Sequence, residues 1–211
     1  VRLFETFESP KRIHLVMEYV SHGTLYRHLK KHKKLAEPEA RRLFRQLVGA
    51  LAYLHSRFIS HRDIKLENVL LDHRRDVRLI DFGFAILSRS KLRVPCGSPS
   101  YTAPEIVAHK EYDDPVADVW SLGVLLYVLL AGRFPFQGTT RDDLSRNIMR
   151  GVFALPQHLS PPPDELLKRM LVTDAARRYN IENVRQHAWL ARAPGEAEIC
   201  AEHAAAPAAA C

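Results

Sequence analysis

Two short runs open the chain, Leu3-Phe4-Glu5-Thr6-Phe7 and Ile13-His14-Leu15-Val16-Met17-Glu18, and read as strands joined by a polar loop from Glu8 to Arg12. Taken alone, Leu15-Val16-Met17 reads as core. Ser21-His22-Gly23 punctuates, and a short helix begins over Thr24 to Leu29. After Pro38, a first-turn proline, Ala40, Leu43, Phe44, Leu47, Val48, Leu51 and Leu54 recur at helical spacing. This predicts a long amphipathic helix with Arg41, Arg42 and Arg45 on its wet side. Val69-Leu70-Leu71, the polar stretch Asp72 to Asp76, and Val77-Arg78-Leu79-Ile80 then form a strand, a turn and a returning strand. From Asp118 to Leu130 the chain is apolar almost all round, the pattern of a helix buried on every side. Asp118 is its exception, and a carboxylate at a helix start commonly serves as a cap worth about 1 kcal/mol. Gly132 to Phe136 ends that helix, and two or three shorter helices follow through Leu171. Trp189 reads as an apolar anchor, and beyond Ala191 an Ala-rich stretch without pattern reads as a disordered tail or linker stub. The sum is an α+β chain, mainly α.

Composition narrows this only a little. The chain has 211 residues, 46% hydrophobic and 26% charged, enough for one sizeable core in one compact domain. No apolar run approaches the roughly 20 residues that span a bilayer, and Val1-Arg2-Leu3-Phe4-Glu5 is not a secretion signal. The expectation is a cytoplasmic protein without a membrane span, with the nucleus left open. Cys96, Cys200 and Cys211 lack metal-type spacing and are expected to be free thiols. The net charge of +7 comes with one dense basic run, Lys30-Lys31-His32-Lys33-Lys34, and without aromatic interleaving. Nucleic acid is therefore not expected as a partner.

The candidate chemistry lies around the predicted hairpin. His61-Arg62-Asp63-Ile64-Lys65-Leu66-Glu67-Asn68 precedes it and Asp81-Phe82-Gly83 follows it. Folding back over the turn brings Asn68 and Asp81 together as hard oxygen donors of the kind magnesium takes alongside phosphate oxygens and water. Asp63 can face a substrate hydroxyl, and Lys65 can reach a phosphate in transfer.

At these residues the chain resembles the eukaryotic protein kinases. Asp63 closes a His-Arg-Asp motif, Asn68 stands five residues later, and Asp81-Phe82-Gly83 and Ala103-Pro104-Glu105 follow in order. The tail Cys96-Gly97-Ser98-Pro99-Ser100-Tyr101-Thr102-Ala103-Pro104-Glu105 is most similar to the AMP-activated and microtubule-affinity-regulating branch of the calmodulin-dependent group. The resemblance implies a kinase-like large lobe preceded by two strands and the hinge of a truncated small lobe. Residues 1–190 would form a partial kinase domain without its glycine-rich loop, strand lysine and C-helix, with 191–211 as tail. The implied function is transfer of the γ-phosphoryl group of ATP to protein Ser/Thr hydroxyls, with these 211 residues alone weak or inactive. A non-catalytic kinase-like scaffold is the alternative.

By the same resemblance Asp63, Lys65 and Asn68 are catalytic. Glu18, Val20, Lys65, Glu67, Asn68, Leu70 and Asp81 hold ATP, and Asn68 and Asp81 hold Mg2+. Met17 guards the back of the adenine pocket, and Glu18-Tyr19-Val20 is the hinge. Ser98 hydrogen-bonds near Asp63 and Lys65, Arg178 pairs with Glu105, and His61, Phe82 and Leu3 stack above Asp118. A protein substrate is implied as partner, with an upstream kinase or regulatory subunit. Val94 follows Leu92-Arg93 where the branch has a phosphorylatable threonine, so Arg62 and Arg78 are expected to face each other with no anion from that position, unless Ser88 or Ser90 supplies one. Thr24 and Val128 stand where basophilic relatives carry glutamates, leaving only Glu67 of that acidic set.

Overall fold

The computed structural model describes residues 1–87, 97–157 and 159–191. Strands β1 (Leu3–Ser9) and β2 (Arg12–Met17) pair antiparallel from Leu3↔Met17 to Ser9↔Arg12, with an irregularity between Leu3 and Glu5. The polar residues Glu8, Ser9 and Arg12 therefore extend the strands, and only Pro10-Lys11 turns. Both strands are exposed along their whole length, and Met17 is 54% exposed. The expectation that Leu15-Val16-Met17 is core does not hold within these residues, because one two-stranded hairpin has no second layer to bury its faces against.

Helix α1 (Leu25–His32) is capped by Thr24, whose Oγ1 accepts from the Arg27 amide at 3.2 Å. Helix α2 (Glu37–Ser56) buries the seven apolar residues that its period picks out. Its arginines are not simply wet. Arg42 pairs with Asp76 at 3.2 Å, and Arg41 lies near Glu37 at 3.8 Å with its guanidinium 5.7 Å from the Trp189 ring centroid. Their aliphatic stems lie on apolar surface while the charges find partners at its rim.

Strand β3 (Ile59–Ser60) pairs with β6 (Ile86–Leu87), and β4 (Val69–Leu71) pairs with β5 (Val77–Leu79). A short helix α3 (Pro104–Val107) precedes α4 (Asp114–Ala131), and α5 (Arg141–Arg150), α6 (Pro161–Met170) and α7 (Ile181–Arg185) complete the lobe. Helix α4 begins a full turn earlier than the apolar run suggests. Pro115 suits a first turn, and Asp114 sits favourably near the positive end of the helix dipole. Asp118 is therefore one turn inside the helix and caps nothing.

By length and apolarity α4 would suffice to cross a membrane, but its side chains are spent on the lobe's core. Trp120, Val124, Leu125, Leu126 and Leu129 are all fully buried, packed with Phe44, Leu47 and Leu51 of α2 and with Leu166, Leu167 and Met170 of α6. The helix stops at Gly132, which has φ +70° and whose added Cβ would lie 2.4 Å from the Lys33 carbonyl oxygen. Only glycine fits that crossing.

Candidate active site

The loop from His61 to Asn68 runs from β3 into β4 over a 3-10 turn at Leu66–Asn68, and α4 fixes it from below. Buried Asp118 accepts from the His61 amide at 2.9 Å and the Arg62 amide at 2.8 Å, and its Oδ2 meets His55 Nε2 at 3.0 Å. His61 Nδ1 accepts from the Asp63 amide at 3.3 Å, so Nε2 carries the proton given to the Ile80 carbonyl at 3.0 Å. The imidazole thereby ties the loop to the far strand of the β4–β5 hairpin. Phe82 lies against it with ring centroids 5.0 Å apart. Of the predicted stack, His61, Phe82 and the Asp118 base come together, whereas Leu3 on β1 stays 57% exposed.

Asp63 is buried and held from three directions. Its Oδ2 receives Lys65 Nζ at 2.5 Å and Asn68 Nδ2 at 2.9 Å, and its Oδ1 receives Ser98 Oγ at 3.2 Å. Lys65 also donates to Ser98 Oγ at 3.2 Å, and Asn68 Nδ2 donates to the Asp63 carbonyl at 2.9 Å. One carboxylate thus sits in a ring of donors with fixed orientation. Pairing of Val69 with Leu79, and the Ile80 amide bonded to the Asn68 carbonyl at 3.0 Å, bring Asn68 opposite the residue before Asp81. Asp81 takes φ +65° and its Oδ1 accepts from the Gly83 amide at 3.3 Å, which turns an exposed carboxylate out of the hairpin's open end. With the Asn68 amide nitrogen committed to Asp63, its Oδ1 is the atom left for a cation. Two hard oxygens at one hairpin mouth fit a magnesium ion that keeps water and phosphate in its shell.

The chain from Gly97 to Glu105 is fitted closely to this loop. Gly97 has φ +92°, and a Cβ there would lie 2.9 Å from the Arg62 carbonyl oxygen. Tyr101, whose OH accepts from the Leu66 amide at 3.4 Å, is held neutral because burial pushes its phenol well up. Glu105 makes a two-pronged pair with buried Arg178, Oε1 to Nη1 at 2.7 Å and Oε2 to Nη2 at 2.8 Å. Arg178 also donates to the carbonyls of Val172 at 2.9 Å and Val116 at 3.1 Å, and lies 5.0 Å from the Trp120 ring centroid. Ser88, Ser90, Val94 and Cys96 lie outside the described residues.

Arg62 and Arg78, expected to face each other with no anion from position 94, each meet a carboxylate from another part of the fold. Arg62 Nε lies 3.1 Å from Oδ1 of buried Asp114, and its Nη2 donates to the Tyr112 hydroxyl at 3.1 Å. Arg78 donates to Asp72 Oδ2 through Nε at 3.2 Å and Nη2 at 2.9 Å. Burial raises the Asp72 pKa, but amides of Asp76 and Arg74 and the Arg78 guanidinium outweigh it and hold the carboxyl below the usual range. For Asp114 burial wins over the attraction of Arg62, with Asp118 and Asp113 adding repulsion, and its pKa is pushed up to about 6. Sequence reasoning missed Asp114, Asp72, Tyr112 and His55. The one signal available was that Asp114 precedes Asp118 by a helical turn, so the two share a face.

At the other edge, Val20 is buried and Glu18 half-buried, with the Glu18 amide bonded to the Arg2 carbonyl at 2.8 Å and its carboxylate to the Arg2 amide at 3.0 Å. Leu70 bridges Thr24, and the Leu71 amide reaches the Gly23 carbonyl at 2.9 Å, so β4 lies beside the chain that leaves Val20. Glu67 is exposed on its 3-10 turn.

A family model described as protein kinase domain matches residues 1–190. The chain is 42% identical over 201 residues to a serine/threonine-protein kinase SIK3 homolog of Danio rerio, which covers 94% of this chain and 17% of that protein. The chain thus spans about a sixth of that relative's length.

Proposed function

Because the chain belongs to the protein kinase family, we propose that its described site is the catalytic loop of a serine/threonine kinase that transfers the γ-phosphoryl group of ATP to protein hydroxyls. The observation that carries this reading is the donor ring of Lys65, Asn68 and Ser98 around the buried Asp63 carboxylate. In this reading Asp63 orients the acceptor hydroxyl and takes its proton as the oxygen–phosphorus bond forms and the bond from the γ-phosphorus to departing ADP breaks. Lys65 offsets charge on the migrating group. Asn68 and Asp81 would hold magnesium, which when bound neutralises charge on the phosphate oxygens. Adenine would lie along Glu18 and Val20 above Leu70, with Glu67 at the turn below; since the Glu18 amide is taken by Arg2, Glu18 can offer only its carbonyl. Ser98 beside Lys65 favours serine or threonine acceptors over tyrosine.

The test belongs in a chain that also carries a glycine-rich loop and a strand lysine, since these 211 residues contain neither. There Asp63→Ala should lower kcat by about 10²- to 10⁴-fold while ATP affinity stays near wild type. A variant that keeps most of its rate would show that Asp63 is misassigned. A wild type that binds ATP and protein but never transfers phosphate would select the non-catalytic module instead.

A further inference from the structure

Arg62 is the residue before the catalytic aspartate and is itself strained. Its φ of +68° lies in the left-handed region, which a bulky residue occupies only where its surroundings over-determine it. Its surroundings do so from one helix face. Asp118 takes the Arg62 amide at 2.8 Å, and Asp114, one turn earlier on α4, sets Oδ1 3.1 Å from Nε, with Tyr112 on Nη2. Both carboxylates are buried, and the Asp114–Arg62 approach is an ion pair rather than an aligned hydrogen bond. A cation beside the reacting carboxylate needs a counter-charge, and here the fold itself provides it.

We propose that Asp114 is the resident counter-anion of Arg62, a positioning residue that holds the catalytic loop in working geometry without a phosphate on the segment after Asp81. The activity part of this inference rests on the kinase reading above; the positioning part does not. Arg62 and Asp114 line the same pocket as Asp63 and Ser98, so movement of the Arg62 side chain is felt where the acceptor would lie. Burial also makes the anion conditional. With its pKa at about 6, Asp114 is charged above that pH and loses its hold on Arg62 below it. Among the described residues, the charged or titratable groups facing this spot include Asp113 and Asp118 on its own segment, Asp63 and His61 on the loop, Tyr112, and His55 of α2 through Asp118.

The experiment is hydrogen exchange on the phosphatase-treated 211-residue protein, corrected for intrinsic rates and run between pH 5 and 7.5. Amides of residues 61–63 should lose protection in Asp114→Asn on the order of tenfold, while the α4 core from Val124 to Leu129 stays protected. Opening that parts Arg62 from Asp114 while the carboxyl stays buried removes the attraction that lowers its pKa, so the open form binds the proton more tightly. The wild-type loop should therefore loosen as pH falls through about 6, and Asp114→Asn should lack that step. The wild-type pH series needs no variant to fold. Unchanged loop exchange in the variant, a flat wild-type profile, or a rise spread equally over α4 would each overturn the proposal. In a chain with complete nucleotide cover, phosphatase-treated wild type should keep its rate, and Asp114→Asn should lose about tenfold in kcat with KM for ATP unchanged. Because exchange is read without nucleotide, absence of phosphoryl transfer would refute the kinase reading alone.

Discussion

Glu105→Ala strips one partner from a buried charge pair, and the size of the loss can be worked from the contacts. The Arg178 side chain is fully buried and gives two hydrogen bonds to the Glu105 carboxylate and one each to the Val116 and Val172 carbonyls. Alanine removes the first two and leaves a cation with neutral acceptors only. Hydrogen bonds to charged groups contribute about 1.5–3 kcal/mol each, and a buried pair broken from one side costs about 3–5 kcal/mol. The two figures agree. For a chain of this size each kcal/mol moves Tm by about 2–4 °C, so Glu105→Ala should melt roughly 6–20 °C lower, read by calorimetry and by the urea midpoint. Arg178→Met should cost a similar amount. The double variant Glu105→Ala/Arg178→Met should cost clearly less than the sum of its singles, since no buried charge is stranded. A Glu105→Ala loss below about 1 kcal/mol, or strict additivity in the double variant, would refute the reasoning. Loosening there should also reach the site, because Ser121 Oγ donates to the Tyr101 carbonyl at 2.8 Å and Thr102 Oγ1 to the Ser98 carbonyl at 3.0 Å.

Two glycines should respond in opposite senses. Gly97→Ala, with φ +92° and a Cβ 2.9 Å from the Arg62 carbonyl oxygen, should destabilise by about 1–3 kcal/mol and displace Ser98 from Asp63; Gly49→Ala, mid-helix with nothing within 4 Å, should stabilise by about 0.5–1 kcal/mol. Equal urea midpoints for the two would contradict both assignments. Glu37 supplies a pH test: burial raises its pKa, but hydrogen bonds from Ser160 and Trp189 outweigh it and lower the folded value. The unfolded carboxyl therefore binds protons first, so the Glu37 contribution is full above its ordinary value near 4.5 and fades as pH falls through the lowered folded one. The stability gap between wild type and Glu37→Gln should be widest near pH 7 and should close on acidification; a gap that widens toward acid would reverse the sign.

Local pattern was enough for much of this protein. The seven apolar positions of α2, the β4–β5 hairpin and the apolar α4 are readable because burial repeats with the period of each element. Asp63, Lys65, Asn68 and Asp81 were legible because the loop and hairpin that gather them are contiguous in sequence. Ser98 and the Arg178–Glu105 pair were reached through resemblance, since their partners lie far along the chain and nothing in local pattern links them. What stayed hidden has one physical character. Asp114 on Arg62, Asp72 on Arg78, His55 on Asp118 and Glu37 under Trp189 are polar contacts whose partners are chosen by packing rather than by spacing. Arg62, Arg78 and Asp114 look in sequence like ordinary surface charges. Only the tertiary structure decides that burial removes water from Arg62, Asp114 and the Asp72 partner of exposed Arg78, so that each buried charge must be answered by another. The exposed faces of β1 and β2 are the reverse case, apolar residues whose period promises a core and whose surroundings among the described residues do not provide one. A hydrophobic pattern says which side of an element seeks cover, and only the arrangement of the other elements determines whether that cover is there.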